Sequence, residues 1–177
     1  MPPKLPASGA RRQSDAPRGG PHYDLAMANH NRTASITTSA PAEVVFAILT
    51  DPSQHPRIDG SGTVKASRPG GPQRLELGST FGMDMKMGAA YKIGNTVVEF
   101  EQDRLIAWRH KGLHRWRYEL TPTPDGGTEI TETWDLSRYG PVAIGFNAAL
   151  GKKTQAAIEA TLVKLKAAAE ADASQRA

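Results

Sequence analysis

The chain has 177 residues, 38% of them hydrophobic, which is enough for one ordinary domain with a hydrophobic core. Cysteine is absent, so disulfides, thiolate zinc sites, iron–sulfur clusters and cysteine nucleophiles are excluded, and we expect a cytoplasmic protein. The formal net charge is +4, part of which lies in the N-terminal segment, and no apolar run is long enough for stable insertion into a membrane.

The N-terminal segment, residues 1–30, is rich in Pro, Gly, Ser and Ala and contains few large apolar residues. Such a composition cannot bury enough surface to offset the entropy lost on ordering, so we predict a disordered tail. We predict one folded domain over residues 31–172 and a flexible C-terminus over residues 173–177. Met27 lies just before the first predicted strand, which leaves open whether translation starts there or at Met1.

The first part of the domain predicts a strand followed by two short helices. Residues 32–38 are β-prone and alternating, and Pro41 then opens a helix over residues 42–49. Asp51-Pro52 ends that helix, and residues 53–56 have the pattern of a short helical turn.

The middle of the domain predicts a meander of antiparallel strands joined by short turns. The strands are expected at residues 62–67, 80–87, 91–101, 104–110, 114–121 and 128–136. The turns include Gln102-Asp103 and Pro124-Asp125-Gly126-Gly127.

The last part of the domain changes to a helical period, from Pro141 to about Ala171. Its apolar stripe consists of Phe146, Leu150, Thr154, Ile158, Leu162 and Leu165. An α+β helix-grip arrangement, in which a curved antiparallel sheet wraps around this long C-terminal helix, is the economical way to bury the stripe.

Short motifs at the joints of these elements carry a family resemblance. The motifs are SAPAEVVF at residues 39–46, LTDP at 49–52, VEFE at 98–101 followed by RLIAW at 104–108, and GTEIT at 127–131. Together they resemble the START/polyketide cyclase superfamily, also called SRPBCC, over the chain from about Arg32 to Ala171. The resemblance implies the helix-grip fold and a hydrophobic ligand. It does not imply one chemistry, because the superfamily includes carriers, receptors, cyclases and dehydrases.

Strand parity predicts which side chains face the concave side of the sheet, because successive side chains alternate. The residues expected to bind a ligand there, with two from the last helix, are Phe81, Met83, Met85, Met87, Trp108, His110, His114, Trp116, Tyr118, Trp134, Phe146 and Leu150. Methionines fill irregular cores as readily as they line adaptable pockets, so both interpretations of the methionine set stay open.

Glu132 is the most suggestive single residue, because it shares a strand face with Ile130 and Trp134. Apolar surroundings disfavour a charged carboxylate, and a carboxylate beside a histidine can act as a paired acid and base. Glu132 and His110 are therefore the candidate catalytic residues, with Tyr118 as an alternative partner. The competing interpretation is that Glu132 is a structural hydrogen-bond partner.

Two functions follow from these residues. The first is a carrier or sensor that binds a hydrophobic small molecule, lipid or polyketide-like, in an internal cavity without changing it. The alternative is a polyketide cyclase or dehydrase in which Glu132, with His110 or Tyr118, moves a proton. Asp59 lies where the family often places residues of the cavity entrance, but its Asp-Gly turn is an equally good explanation.

Other ligands and partners are not expected. The chain has no HExxH motif for a metal and no GxGxxG turn for a cofactor. The basic residues of the last helix could contact nucleic acid, but a lysine-lined helix is usually a solvated face, so we predict no nucleic-acid partner. The oligomeric state and the identity of the ligand cannot be read from the sequence.

Overall fold

A computed structural model describes residues 31–110 and 112–176, so the predicted tail lies outside the described residues. The elements in chain order are β1 (Arg32–Thr38), α1 (Ala42–Thr50), a 3-10 turn (Pro52–Gln54), α2 (His55–Ile58), β2 (Val64–Ser67), β3 (Thr80–Met87), β4 (Ala89–Glu101), β5 (Leu105–His110), β6 (Arg115–Pro122), β7 (Thr128–Asp135), a second 3-10 turn (Ser137–Tyr139) and α3 (Val142–Ser174). This order confirms the predicted helix-grip fold, with strand bounds that agree within two residues.

The strands form one antiparallel sheet in the order β1-β7-β6-β5-β4-β3-β2. β1 pairs with β7, and the other neighbours follow one another along the chain as a meander. The pairing of β4 with β5 shifts by one residue between Val97 and Glu99, and such a bulge bends a strand and strengthens its twist. The sheet curves around the helices, and α3 packs mainly against β1, α1 and α2.

Gly60 allows α2 to lie directly against α3. Its backbone N–H donates a hydrogen bond to Thr161 Oγ1 at 2.9 Å, and a Cβ on Gly60 would lie 2.2 Å from the backbone nitrogen of Thr161. Only a residue without a side chain fits this approach. An ion pair of 2.8 Å between Arg57 and Asp172 fastens the same two helices at the surface.

The apolar stripe of α3 is buried in its C-terminal half only. Ile158, Leu162 and Leu165 are buried in the core, whereas Phe146 and Leu150 are exposed. The helix has 33 residues, a length of about 50 Å, while the eight residues of β6 or β7 span about 27 Å. α3 is therefore longer than these strands, and Phe146 and Leu150 near its start stay exposed while Ala143 packs into the core. The helix ends at Ser174, two residues into the segment predicted to be flexible.

Among the described residues, no helix combines the length and the apolar character that crossing a bilayer would require.

Candidate functional site

Glu132 and Tyr118 form a buried hydrogen-bonded pair on the concave face of the sheet. They lie directly opposite each other on β7 and β6, so both side chains project to the same face. Tyr118 Oη donates to Glu132 Oε1 at 2.8 Å. Glu132 is only 2% exposed, and its second oxygen, Oε2, has no hydrogen-bond partner among the described residues. The pair thus leaves one buried polar atom unsatisfied.

Burial raises the pKa of Glu132 to about 8. The hydrogen bond from Tyr118 acts in the opposite direction, and the nearby charge of Asp59 adds to the rise. Burial, and then the charge of Glu132, also raises the pKa of Tyr118 well above its usual 10. At neutral pH both groups therefore hold their protons. With Oε1 accepting from Tyr118, a carboxyl proton on Oε2 would be a donor without an acceptor among the described residues.

Aromatic rings pack against one side of the Glu132–Tyr118 pair. Trp108 stacks on Tyr118 with ring centroids 5.3 Å apart, and on His55 at 5.0 Å. Phe81 meets Trp108 edge to face at 5.9 Å. These rings give the site a flat, apolar wall next to its polar pair.

His55 belongs to this wall, although no sequence pattern singled it out. The residue is buried, and its Nε2 lies 3.0 Å from the carbonyl oxygen of Leu49, to which a neutral ring donates. Burial lowers the pKa of His55, which favours that neutral ring. Strand parity could not find His55, because it lies on α2 and reaches the sheet only through the tertiary fold.

His110 and His114 form a second polar group, near the turn between β5 and β6. Their rings are perpendicular, with centroids 4.3 Å apart, and His110 Nδ1 is buried without a partner among the described residues. His114 Nδ1 lies 3.5 Å from Tyr139 Oη. Burial lowers the pKa of both histidines, and the proximity of His110 contributes to a pKa of about 4 for His114. Both rings are therefore neutral at pH 7.

The two polar groups are separated by a row of tryptophans. Trp108 pairs with Trp116, and Trp116 pairs with Trp134. Glu132 precedes this row by two residues on β7, and His110 follows it by two residues on β5. The total offset of four residues is about 13 Å along the strands. The structure thus brings Glu132 to Tyr118 and His110 to His114, and it keeps the candidate catalytic residues Glu132 and His110 apart.

The residues predicted to bind a ligand fall into three groups by burial. The buried group is Phe81, Met83, Met85, Trp108, Tyr118 and Trp134. The half-buried group is His110, His114 and Trp116. The exposed group is Met87, Phe146 and Leu150.

Two open surface grooves of about 540 and 310 Å³ lie along the loop at residues 67–73 and the start of β3, and Phe81 lines both of them. Glu132 lines neither of them. In residues 31–110 and 112–176, no group of three or more His, Cys, Asp or Glu side chains is arranged to hold a metal ion.

The sequence of this domain matches a known protein family. Residues 30–170 match the family described as "Polyketide cyclase / dehydrase and lipid transport", and the chain belongs to that family. Membership confirms the superfamily resemblance and supports either the binding of a hydrophobic ligand or cyclase chemistry.

The chain is also similar to a curated mycobacterial protein. The "uncharacterized protein Rv0088" of Mycobacterium tuberculosis H37Rv is 38% identical over 136 residues, which cover 74% of this chain and 60% of the relative. The chain thus spans about 60% of the length of the curated relatives it matches.

Two solved structures share the fold. Protein NE0264 of Nitrosomonas europaea superposes with a TM-score of 0.61 at 15% identity, covering 80% of this chain and 95% of that one. The di-domain ARO/CYC protein StfQ of the steffimycin biosynthetic pathway has a TM-score of 0.60 at 17% identity, covering 81% of this chain and 51% of that one.

Proposed function

We propose that this chain binds a hydrophobic small molecule, lipid or polyketide-like, as a carrier or sensor, and that Glu132 anchors a polar group of the ligand. The observation that carries the proposal is the unpartnered Oε2 of the buried Glu132 carboxyl. Buried polar atoms are almost always hydrogen-bonded, and one left without a partner costs about 1–3 kcal/mol. A ligand oxygen at this position would remove that cost.

The surroundings of Glu132 favour a ligand with a flat or branched apolar body. Trp108, Tyr118 and His55 form a stack of rings beside the carboxyl, and Met83 and Met85 add flexible thioethers on β3. A neutral carboxyl can donate to a carbonyl oxygen or accept from a hydroxyl group. The site therefore suits a mostly apolar molecule that has one carbonyl or hydroxyl group at its inner end.

A second candidate function, a cyclase or dehydrase, is favoured by the pKa of Glu132. A general acid or base works best when its pKa is near the operating pH, and a value of about 8 meets that condition. Tyr118, hydrogen-bonded to Glu132, would be the second proton carrier. His110 would act only on the opposite end of a long substrate. We place this candidate second because Glu132 has no other acid or base bonded to it among the described residues.

The first experiment identifies the ligand. Native mass spectrometry of the full chain, expressed in its source organism, is expected to show one bound small molecule, whose mass separates a lipid from an aromatic polyketide. A hydrophobic fluorescent probe is also expected to bind and to quench tryptophan emission. The proposal would be contradicted if the chain bound neither a small molecule under these conditions nor the probe.

The second experiment separates the two functions through Glu132. For a carrier, Glu132→Gln keeps affinity for the identified molecule within a few fold, because glutamine retains a donor and an acceptor, whereas Glu132→Leu weakens it by about tenfold. For an enzyme, Glu132→Gln lowers turnover by roughly two to four orders of magnitude while binding persists. The matched control is Glu129→Gln on the exposed face of the same strand. Equal affinity of the Glu132→Leu variant and the parent chain would contradict the anchoring role.

A further inference from the structure

Most of the large apolar side chains that are exposed in the described residues lie at one end of the molecule. Five of them form what we call the apolar rim, namely Met87, Leu113, Val142, Phe146 and Leu150. Val142 and Met87 are 62% and 60% exposed. A monomeric protein rarely gathers exposed apolar side chains in this way unless the surface binds a partner.

The rim is continuous across three parts of the fold. Val142, Phe146 and Leu150 follow one another at four-residue spacing, so they share one side of α3. The ring of Tyr139 lies 4.9 Å from that of Phe146, and Tyr139 Oη accepts a hydrogen bond of 3.1 Å from the backbone N–H of Leu113. The helix is thereby joined to the turn between β5 and β6.

The β3–β4 hairpin completes the rim on the other side. Lys153 lies three residues after Leu150 on α3, and its Nζ is 3.8 Å from the Sδ of Met87 at the end of β3. Tyr139 also lies beside His114, which lines the concave face. The rim thus borders the end of the sheet at which the half-buried histidines are found.

The charges around the rim are of one sign. The three segments that build it, residues 85–98, 104–118 and 136–158, contain no Asp or Glu. Their cations include Lys86, Lys92, Arg138, Lys152 and Lys153, and none of these five pairs with a carboxylate in the described part of the chain. Arg115 and Arg117, in contrast, are paired with Glu99.

We propose that the apolar rim and its unpaired lysines are a docking surface for an anionic lipid bilayer, to which the protein binds reversibly from the water phase. Apolar side chains of an interfacial segment enter the boundary between head groups and acyl chains, and neighbouring lysines contact anionic head groups. A symmetric contact with a second copy fits less well, because it would bring these unpaired cations against the same cations. The proposal is independent of the role of Glu132.

The test is flotation of the full chain with phosphatidylcholine vesicles that contain or lack phosphatidylglycerol. We expect binding only to the anionic vesicles, decreasing as salt is added because the charge attraction is screened. The double variant Val142→Ser/Leu150→Ser is expected to weaken binding by about tenfold or more. The matched control, Val163→Ser/Leu77→Ser, removes two apolar residues outside the rim that are 60% and 65% exposed, and it is expected to bind like the parent chain.

A charge-reversal pair tests the lysines separately. Lys86→Glu/Lys152→Glu is expected to abolish binding to anionic vesicles, whereas Arg74→Glu, which lies by Gln102 at the opposite end of the sheet, is expected to leave most of it. Binding that survives in both rim variants would come from basic residues elsewhere, such as those of residues 1–30, and would overturn the proposal. A concentration-dependent dimer that forms without lipid and that the same rim variants dissociate would also overturn the proposal. Analytical ultracentrifugation measures this.

Discussion

Glu132→Gln is expected to make the protein more stable at neutral pH and to leave its stability nearly unchanged at pH 5. The reason is the raised pKa of Glu132, about 8 in the fold against an ordinary value of 4.5. Between these two values the unfolded chain has released the proton and the folded chain still holds it, so stability falls as the pH rises from 4.5 to 8. Glutamine resembles the protonated carboxyl and cannot ionise, so the variant escapes this loss.

The size of the effect follows from the pKa difference. Each pKa unit corresponds to about 1.4 kcal/mol, so the ionisable Glu132 lowers the free energy of unfolding by about 3 kcal/mol at pH 7 and by less than about 1 kcal/mol at pH 5. Urea unfolding of parent and variant at both pH values measures the difference directly, and the contributions of the histidines cancel in it. Glu129→Gln on the exposed face of β7 is the control and should give equal differences at both pH values. Parallel stability curves for Glu132→Gln and the parent chain would refute the assignment of a buried, protonated carboxyl.

Two further perturbations test the packing and the histidine pair. Gly60→Ala is expected to lower the free energy of unfolding by about 2 kcal/mol or more, because its Cβ would overlap the backbone of α3. The control is Gly94→Ala, whose Cβ meets open space and which should change the free energy of unfolding little. Equal urea midpoints for the two variants would contradict the close approach of α2 and α3. His114→Asn is expected to raise the stability relative to the parent chain more at pH 5 than at pH 7, because the lowered pKa of His114 means that below about 6.5 only the unfolded chain takes up the proton. Thermal unfolding of both chains at the two pH values measures this, and an equal difference at both would contradict a neutral, half-buried ring.

The predicted elements agree with the structure because their signals are local. Alternation in β3, β6 and β7 and the helical period of α3 are properties of neighbouring residues, and proline and glycine mark the joints between them. The family resemblance agrees with the order of these elements. The domain bounds that include residues 1–30 and 177 remain a prediction, since those residues lie outside the described part of the chain.

The sequence predicts which face of each strand the site residues lie on, but not which residues of neighbouring strands meet. Parity correctly places Glu132 on the face that also carries Ile130 and Trp134, because side-chain direction alternates within a strand. Parity says nothing about which residue of β6 lies opposite. The register of β6 with β7 pairs Glu132 with Tyr118, whereas the sequence named His110 as the candidate catalytic partner and Tyr118 as an alternative.

By itself, the sequence determined the elements, the α+β class and the apolar face of each strand, because these depend on residue type and on spacing along the chain. Only the tertiary structure decided that Glu132 bonds Tyr118, that His55 stacks on Trp108, and that Phe146 stays exposed near the start of α3. Those facts depend on strand register, on the docking of α2 and on the length of α3 relative to the strands. They join residues that are distant in the chain, and no local pattern records such distances.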